Sequence, residues 1–424
     1  MSALPPNLLP LTSSQDAQGH LRIGGVDLLD LAADFGTPLF VYDEEHLRSR
    51  AAAAVGALGP DGAIYATKAF LCRAMARLAH EEGMRLDVAT GGELAVALAA
   101  GVPADRLVMH GNNKASWELR AALDAGVGRI VVDSAVELER IEALVAEGFE
   151  APRVLLRINP GIEVHTHEHI TTGNLDSKFG FPLSTGQAQE AVQRARRSGA
   201  VELVGLHMHI GSQVFSVDNF LEGLRTVAPF VGGEDLPEFI VGGGLGVAYV
   251  EGEEAPTLES WAAAVRQTCE DVGIHSAVAA EPGRAIVAQA AVTLYEVGTI
   301  KFIPGVRTYV AVDGGMSDNP RPVLYGSGYE TFLPRAVAAE REMPIRLVGK
   351  HCESGDLIVR EGAVPADLAV GDIVATPVTG AYGHSMGSNY NKVLRPPVVF
   401  VSGGEARLVV RRETVADLLA TDLG

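Results

Sequence analysis

The sequence predicts an α/β protein: a (β/α)8 TIM-like barrel over residues 37–285, followed by a mostly antiparallel β-domain over 286–424, with which residues 1–36 are grouped. Two observations predict it. Up to Arg284, short β-branched runs alternate eight times with Ala/Leu/Glu-rich helical stretches, the rhythm of parallel βα units. Beyond Arg284 the helical pattern thins, and strand-like runs are separated by Gly, Pro and Asp turns.

In chain order the candidate barrel strands are Ile64–Lys68, Arg85–Thr90, Leu107–Gly111, Arg129–Ser134, Val154–Pro160, Leu203–Ser212, Phe239–Gly244 and Ala277–Arg284. Between them, Gly91–Ala100 and Ala135–Glu147 read as helices. Eight strands in a row suit closure, although periodicity alone leaves an open doubly wound sheet as an alternative. In the second part, Ala291–Val297, Arg307–Val312, Ile345–Val348, Asp372–Thr376 and Val398–Val401 are strand-like. Helical pattern returns at Tyr382–Met386 and at the end of the chain.

The 424 residues suffice for one large domain or two ordinary ones. Acidic residues outnumber basic ones 53 to 34, giving a net charge of −19 spread along the chain. Such a surface repels phosphate backbones and anionic lipid, so neither nucleic acid nor membrane is an expected partner. Cys72, Cys269 and Cys352 are too few and too scattered for a disulfide framework. Residues 1–19 hold no Lys or Arg, unlike a signal peptide, and no apolar run is long enough to span a bilayer. The expected location is cytoplasmic.

Several motifs carry chemistry. Lys68 closes the apolar run of Tyr65-Ala66-Thr67, and a lysine there points toward the barrel mouth. Partial burial would ease the uncharged amine that covalent catalysis needs, whereas a plain strand-end lysine would simply reach for solvent. The run from Gly242 to Gly244, then Leu245 and Gly246, is a phosphate-cradle candidate or a tight βα turn. Val247 and Tyr249 break dinucleotide-binding spacing, and no Lys-Ser/Thr follows. Glu281-Pro282-Gly283-Arg284 is either an ion pair at a strand end or a carboxylate for a protonated pyridine nitrogen beside an arginine for an anion. His207 and His209 alternate on a strand and so share a face. Neither they nor His165, His167 and His169 have the spacing of a metal site, so no metal is expected. Cys352, flanked by Glu353, Ser354, Gly355 and Asp356, is poorly explained as core. Arg321 and Tyr325, four residues apart, can face one pocket.

The order and company of these motifs say more than any one of them. YATKA, HIGSQ, GGGLG, EPGR, the Arg321/Tyr325 pair, CESGD and Tyr382 together resemble the diaminopimelate decarboxylases over residues 36–396. These are pyridoxal-phosphate enzymes of the alanine-racemase-like class, related to ornithine and arginine decarboxylases. The resemblance implies a barrel rather than an open sheet, pyridoxal 5'-phosphate as cofactor, and a homodimer with shared active sites. It implies that Lys68 holds the cofactor covalently and that His209 stacks on its ring. Ser212, Gly243, Gly244 and Tyr382 would hold the phosphate, Glu281 would face the ring nitrogen, and Pro282, Gly283 and Arg284 would complete the cofactor site. Cys352 and Glu353 would act in the neighbouring subunit, Cys352 as proton donor with Lys68 as its rival. One departure is Phe70, where many relatives carry Asn; it suggests a more apolar wall beside the lysine.

Charge argues the substrate. Arg284, Arg321 and Tyr325 suit a distal carboxylate, Glu353 a distal ammonium, and Tyr382 is grouped with them. Two arginines beside a purely cationic tail would repel it. The expected reaction is decarboxylation of meso-2,6-diaminopimelate to L-lysine and CO2. The alternatives are a decarboxylase of another basic amino acid, of ornithine or arginine type, and an amino-acid racemase of the same fold.

Overall fold

The computed structural model describes residues 3–161 and 176–424. His165, His167 and His169 lie outside the described residues, as does the first part of the 173–181 loop. Two compact units form: Ala51–Gly246 with Ala255–Ala285, and Met1–Arg50 with Val247–Glu254 and Ile286–Gly424. Among the described residues no helix is long and apolar enough to cross a membrane.

The first unit contains eight parallel strands, Ile64–Ala66, Arg85–Val88, Leu107–Met109, Arg129–Val132, Arg153–Asn159, Glu202–His207, Glu238–Ile240 and Ala277–Ala279, each paired to the next. The last returns to the first. Ala63 bridges Ala280 in parallel, the Ile64 N–H donates to the Ala280 carbonyl at 3.0 Å, and the Ala280 N–H donates to Gly62 at 2.8 Å. That closure makes a barrel and removes the open-sheet alternative. Ile64, Val108, Val131, Leu155, Val204, Ile240 and Ala279, one from every barrel strand but the second, fill one buried core cluster.

All eight strands stop short of the carboxyl ends read from sequence. The reason is local. Thr90 and Ser134, read as strand ends, are helix N-caps: their hydroxyls accept from the Glu93 and Glu137 N–H groups at 3.2 Å. They start the helices Gly91–Ala99 and Ala135–Ala146. Thr67–Ala69 turns into a single 3-10 turn that carries Lys68 out of the ladder. The barrel lip is therefore built from caps and turns, which free its side chains from sheet geometry.

In the second unit the long strand Ala291–Ile303 pairs antiparallel with Leu39–Asp43, Arg307–Val312 and Ile373–Pro377. Leu39–Asp43 also runs parallel to Val398–Ser402. Residues 37–50, grouped with the barrel in the sequence reading, thus belong to the β-rich unit, as do Val247–Glu254. Leu-Phe-Val-Tyr-Asp is buried at every position, and an unbroken apolar run looks the same in a central strand of either sheet. Two further strands, Leu357–Val364 and Glu405–Val410, escaped the reading because Arg360, Glu361 and Gly362 interrupt the first and the second is largely exposed.

Leu155 is completely buried in the barrel cluster. Leu155→Ala is expected to lower stability by about 2–5 kcal/mol, read as a lower midpoint in urea unfolding of the intact protein.

Candidate active site

The strand carboxyl ends of the barrel gather charge. Asp87 comes from the second strand, His110 follows the third, Arg157 lies on the fifth, His207 ends the sixth, and Glu281 follows the eighth. All five are buried. Lys68, just beyond the first strand, is exposed.

Glu281 is the hub. One carboxylate oxygen lies 3.1 Å from His207 Nε2, and the other 2.8 Å from His110 Nε2. The two imidazoles meet edge to face with centroids 4.9 Å apart. Burial opposes charge on Glu281, yet the two histidines hold its carboxyl well below the usual range, so it is a carboxylate. Burial pushes His207 down to about 4, and it stays neutral. The oxygen facing His110 has no well-aligned hydrogen bond. A protonated ring nitrogen is the kind of donor that would complete it.

Asp87 is the counterpoint. Burial and the charge on Glu281 raise its carboxyl to about 6, against the pull of His110 and Lys68. Arg157 stands 3.7 Å from Asp133 and stacks over the Phe179 ring at 4.2 Å. The Gly180 N–H donates to Asp133 at 2.8 Å, which ties the start of the next segment to this pair.

The glycines form a close-packed cradle. A Cβ on Gly243 would sit 2.1 Å from the Glu281 carbonyl, and one on Gly244 (φ +112) 2.0 Å from that of Gly211. The Gly243 N–H donates to His209 Nδ1 at 3.2 Å. Half-buried, His209 is held well below the usual imidazole range by loss of water and by Lys68 and Arg157. Arg284 donates to Ser212 Oγ at 3.0 Å, while Glu281 turns to the histidines. Pro282 accepts from the Ala66 N–H at 3.3 Å, and Gly283 packs so tightly on Ala66 that a Cβ would come within 2.9 Å. The strand ends at His207, so the alternation read from sequence stops before His209. Phe70 is completely buried, and its carbonyl accepts from the Tyr65 hydroxyl at 2.6 Å.

The cradle, the exposed lysine and the buried carboxylate with an unfilled acceptor suit a phosphorylated pyridine aldehyde.

The β-rich unit holds the remaining residues. Arg321 and Tyr325 lie one turn apart on the short helix Arg321–Tyr325. Arg321 is buried, donates to the Tyr329 hydroxyl at 2.6 Å, and lies over the Tyr249 ring at 4.2 Å. Among the described residues no carboxylate comes within ion-pair distance of it. Cys352 and Glu353 are exposed on a loop anchored by Asp356, which accepts from the Met316 N–H at 2.6 Å and the His351 N–H at 2.9 Å. Tyr382 is half-buried and adopts a left-handed conformation, φ 58.

Residues 44–288 match the pyridoxal-binding domain of the pyridoxal-dependent decarboxylases. The diaminopimelate decarboxylase of Mycobacterium tuberculosis is 47% identical over 99% of this chain and 98% of its own. The Bacillus subtilis diaminopimelate decarboxylase is 45% identical, covering 97% of each. The chain belongs to the diaminopimelate decarboxylase family. Its barrel and β-rich domain are those of a pyridoxal-phosphate-dependent carboxy-lyase. The crystal structure of the M. jannaschii diaminopimelate decarboxylase with L-lysine superposes with a TM-score of 0.90, at 34% identity and 98% coverage of both chains. A lysine/ornithine decarboxylase from Vibrio vulnificus, with putrescine, shares the fold at a TM-score of 0.76 and 24% identity.

Sequence reasoning passed over Asp87, His110 and Arg157. The signal available was a polar residue near the carboxyl end of an otherwise apolar parallel strand, the same pattern that singled out Lys68. Because Asp87 binds its proton more readily folded than unfolded, its ionisation costs stability as pH rises from about 4 to about 6. In the cofactor-free protein, Asp87→Asn is expected to flatten that decline and raise stability at pH 8 by about 1–3 kcal/mol, measured by urea unfolding across pH.

Proposed function

We propose that this chain decarboxylates meso-2,6-diaminopimelate to L-lysine and CO2, working as a homodimer in the cytoplasm. When bound, pyridoxal phosphate supplies the sink for the electron pair that departing CO2 leaves behind. The chain's own residues do the rest. Lys68 Nζ, exposed at the barrel lip, would hold the cofactor covalently. The Glu281 carboxylate, kept ionised by His110 and His207, holds a proton on the ring nitrogen. Ser212, Gly243, Gly244 and Tyr382 grip the phosphate, and Pro282, Gly283 and Arg284 brace that grip. His209, neutral and fixed by the Gly243 N–H, offers its face to the ring.

Arg321 carries the choice of substrate. A guanidinium sealed between two tyrosines, with no carboxylate in ion-pair range among the described residues, is a cation kept for an anionic guest. Diaminopimelate has a carboxylate at its distal end; ornithine and arginine do not. Arg321, Tyr325 and Arg284 take that carboxylate, and Glu353 takes the distal ammonium. Cys352, exposed beside Glu353, serves the partner subunit by returning a proton to the former Cα, with Lys68 as its rival for that role.

CO2 release should be measured across diaminopimelate, lysine, ornithine and arginine. Turnover confined to diaminopimelate is expected; a preference for ornithine or arginine would overturn the reading. Arg321→Ala should raise KM for diaminopimelate by roughly 10–100-fold, the loss of a charged hydrogen bond or more. Lys68→Ala should abolish both turnover and the absorbance of lysine-bound cofactor; a variant that is active and trapped by borohydride would refute the role of Lys68.

A further inference from the structure

The opposite end of the barrel holds a second constellation that catalysis does not use. A cavity of about 800 Å³ opens there, lined by the starts of the strands and the turns before them, including Arg85, Arg106, Arg129, Asp61 and Glu238. Arg85, Arg129 and Glu238 begin the second, fourth and seventh strands, whereas the catalytic groups stand at or beyond the strands' other ends.

The charges lining this cavity are unevenly matched. Arg129 grips Glu238 with Nε at 2.9 and 3.1 Å from the two carboxylate oxygens and a further contact from Nη2. Arg106 takes Asp61 at 2.9 Å and the carbonyls of Pro60 and Gly83 at 2.9 and 2.8 Å. Arg85 has neither. The residue is only 7% exposed, and the single hydrogen bond of its side chain is a long one, 3.4 Å, to the Asp61 carbonyl. Among the described residues no carboxylate lies within ion-pair distance of it. Burial and then the charges of Arg129 and Arg106 work against its protonation, and the more distant carboxylates of Glu238 and Asp61 work for it. Buried cations are ordinarily paired, because desolvation costs several kcal/mol per ion. Asp105 and Glu150 also border the cavity, but both are exposed, so water screens them.

We propose that this end of the barrel binds a small oxyanion, a carboxylate or a phosphate, with the Arg85 guanidinium as its principal ligand. The planar fork suits bidentate contact with either group, and the two neighbouring carboxylates, already held by their own arginines, leave Arg85 as the surplus charge. The ligand closes the charge balance at the strand starts and leaves the catalytic end untouched.

Thermal unfolding of the holoenzyme should be followed against inorganic phosphate and, separately, malonate, with sodium chloride at matched ionic strength as the control. A saturable rise of about 3 °C at ten times Kd is expected from at least one oxyanion and not from chloride. The two arms tell which source the site prefers. The rise should vanish in Arg85→Met, while kcat and KM for diaminopimelate stay at parent values. No saturable rise beyond chloride overturns the proposal, and so does a rise that survives Arg85→Met, because that anion sits elsewhere. Should Arg85→Met not fold, Arg85→Lys decides: it keeps the charge but loses the fork. Affinity weakened at least tenfold supports the site, and unchanged affinity overturns it.

Discussion

The mouth at the carboxyl ends of this barrel depends on one buried carboxylate. Glu281 lies only one residue beyond Ala280, where the eighth strand bridges back to the first, so closure of the barrel and placement of the carboxylate are one event. The backbone does both tasks: Ala280 pairs with the 62–64 segment, Pro282 accepts from Ala66, and Gly283 packs on Ala66 without room for a side chain. Between these contacts Glu281 has one direction left, toward His207 and His110. Burial of an anion there is affordable only because two imidazoles answer it.

The same constraint sorts the neighbouring groups. Charges crowded in a poorly solvated site cannot all ionise freely, so their proton affinities diverge. Glu281 has two nitrogen partners and goes down; Asp87 has an oxygen with no partner, feels Glu281 as a like charge, and goes up. His207 remains neutral because burial outweighs the carboxylate it touches. An anionic Glu281 beside an Asp87 that titrates near pH 6 gives the mouth one fixed and one adjustable carboxylate. That arrangement follows from packing before any cofactor is considered.

Much of this was legible in the chain. Eight βα units, the cradle glycines, Lys68 and Glu281 each announce themselves by position: an apolar strand that ends on a glycine run or a charge is ending at a barrel mouth. What stayed hidden had physical reasons. Asp87 and Arg157 sit within strands, where one polar residue in an alternating pattern reads as an outward-facing residue. His110 looked like any strand-end histidine until the fold brought Glu281 to it, across 171 positions of sequence that no local pattern spans. Leu39–Asp43 was misplaced because complete burial erases the alternation that would tell one sheet from another. The motif order supplied the family; pairings between distant strands supplied the electrostatics.

The two ends of the barrel solve the problem of buried charge differently. At the carboxyl ends the anion Glu281 is met by two imidazole nitrogens and by no lysine or arginine among the described residues. At the amino ends strong cations and anions are locked pairwise, as in Arg129 with Glu238, and a locked pair gives rigidity but little chemistry. An end that is to receive a ligand must keep acceptors partly open, as the Glu281 oxygen facing His110 is, whereas a structural end gains by closing every one. Arg85 breaks the structural rule, since it lacks a carboxylate of its own among neighbours that have theirs. An incomplete pair at an otherwise completed end is a departure from the local logic of the fold. Such departures are where a protein that has solved its packing still has binding energy to offer.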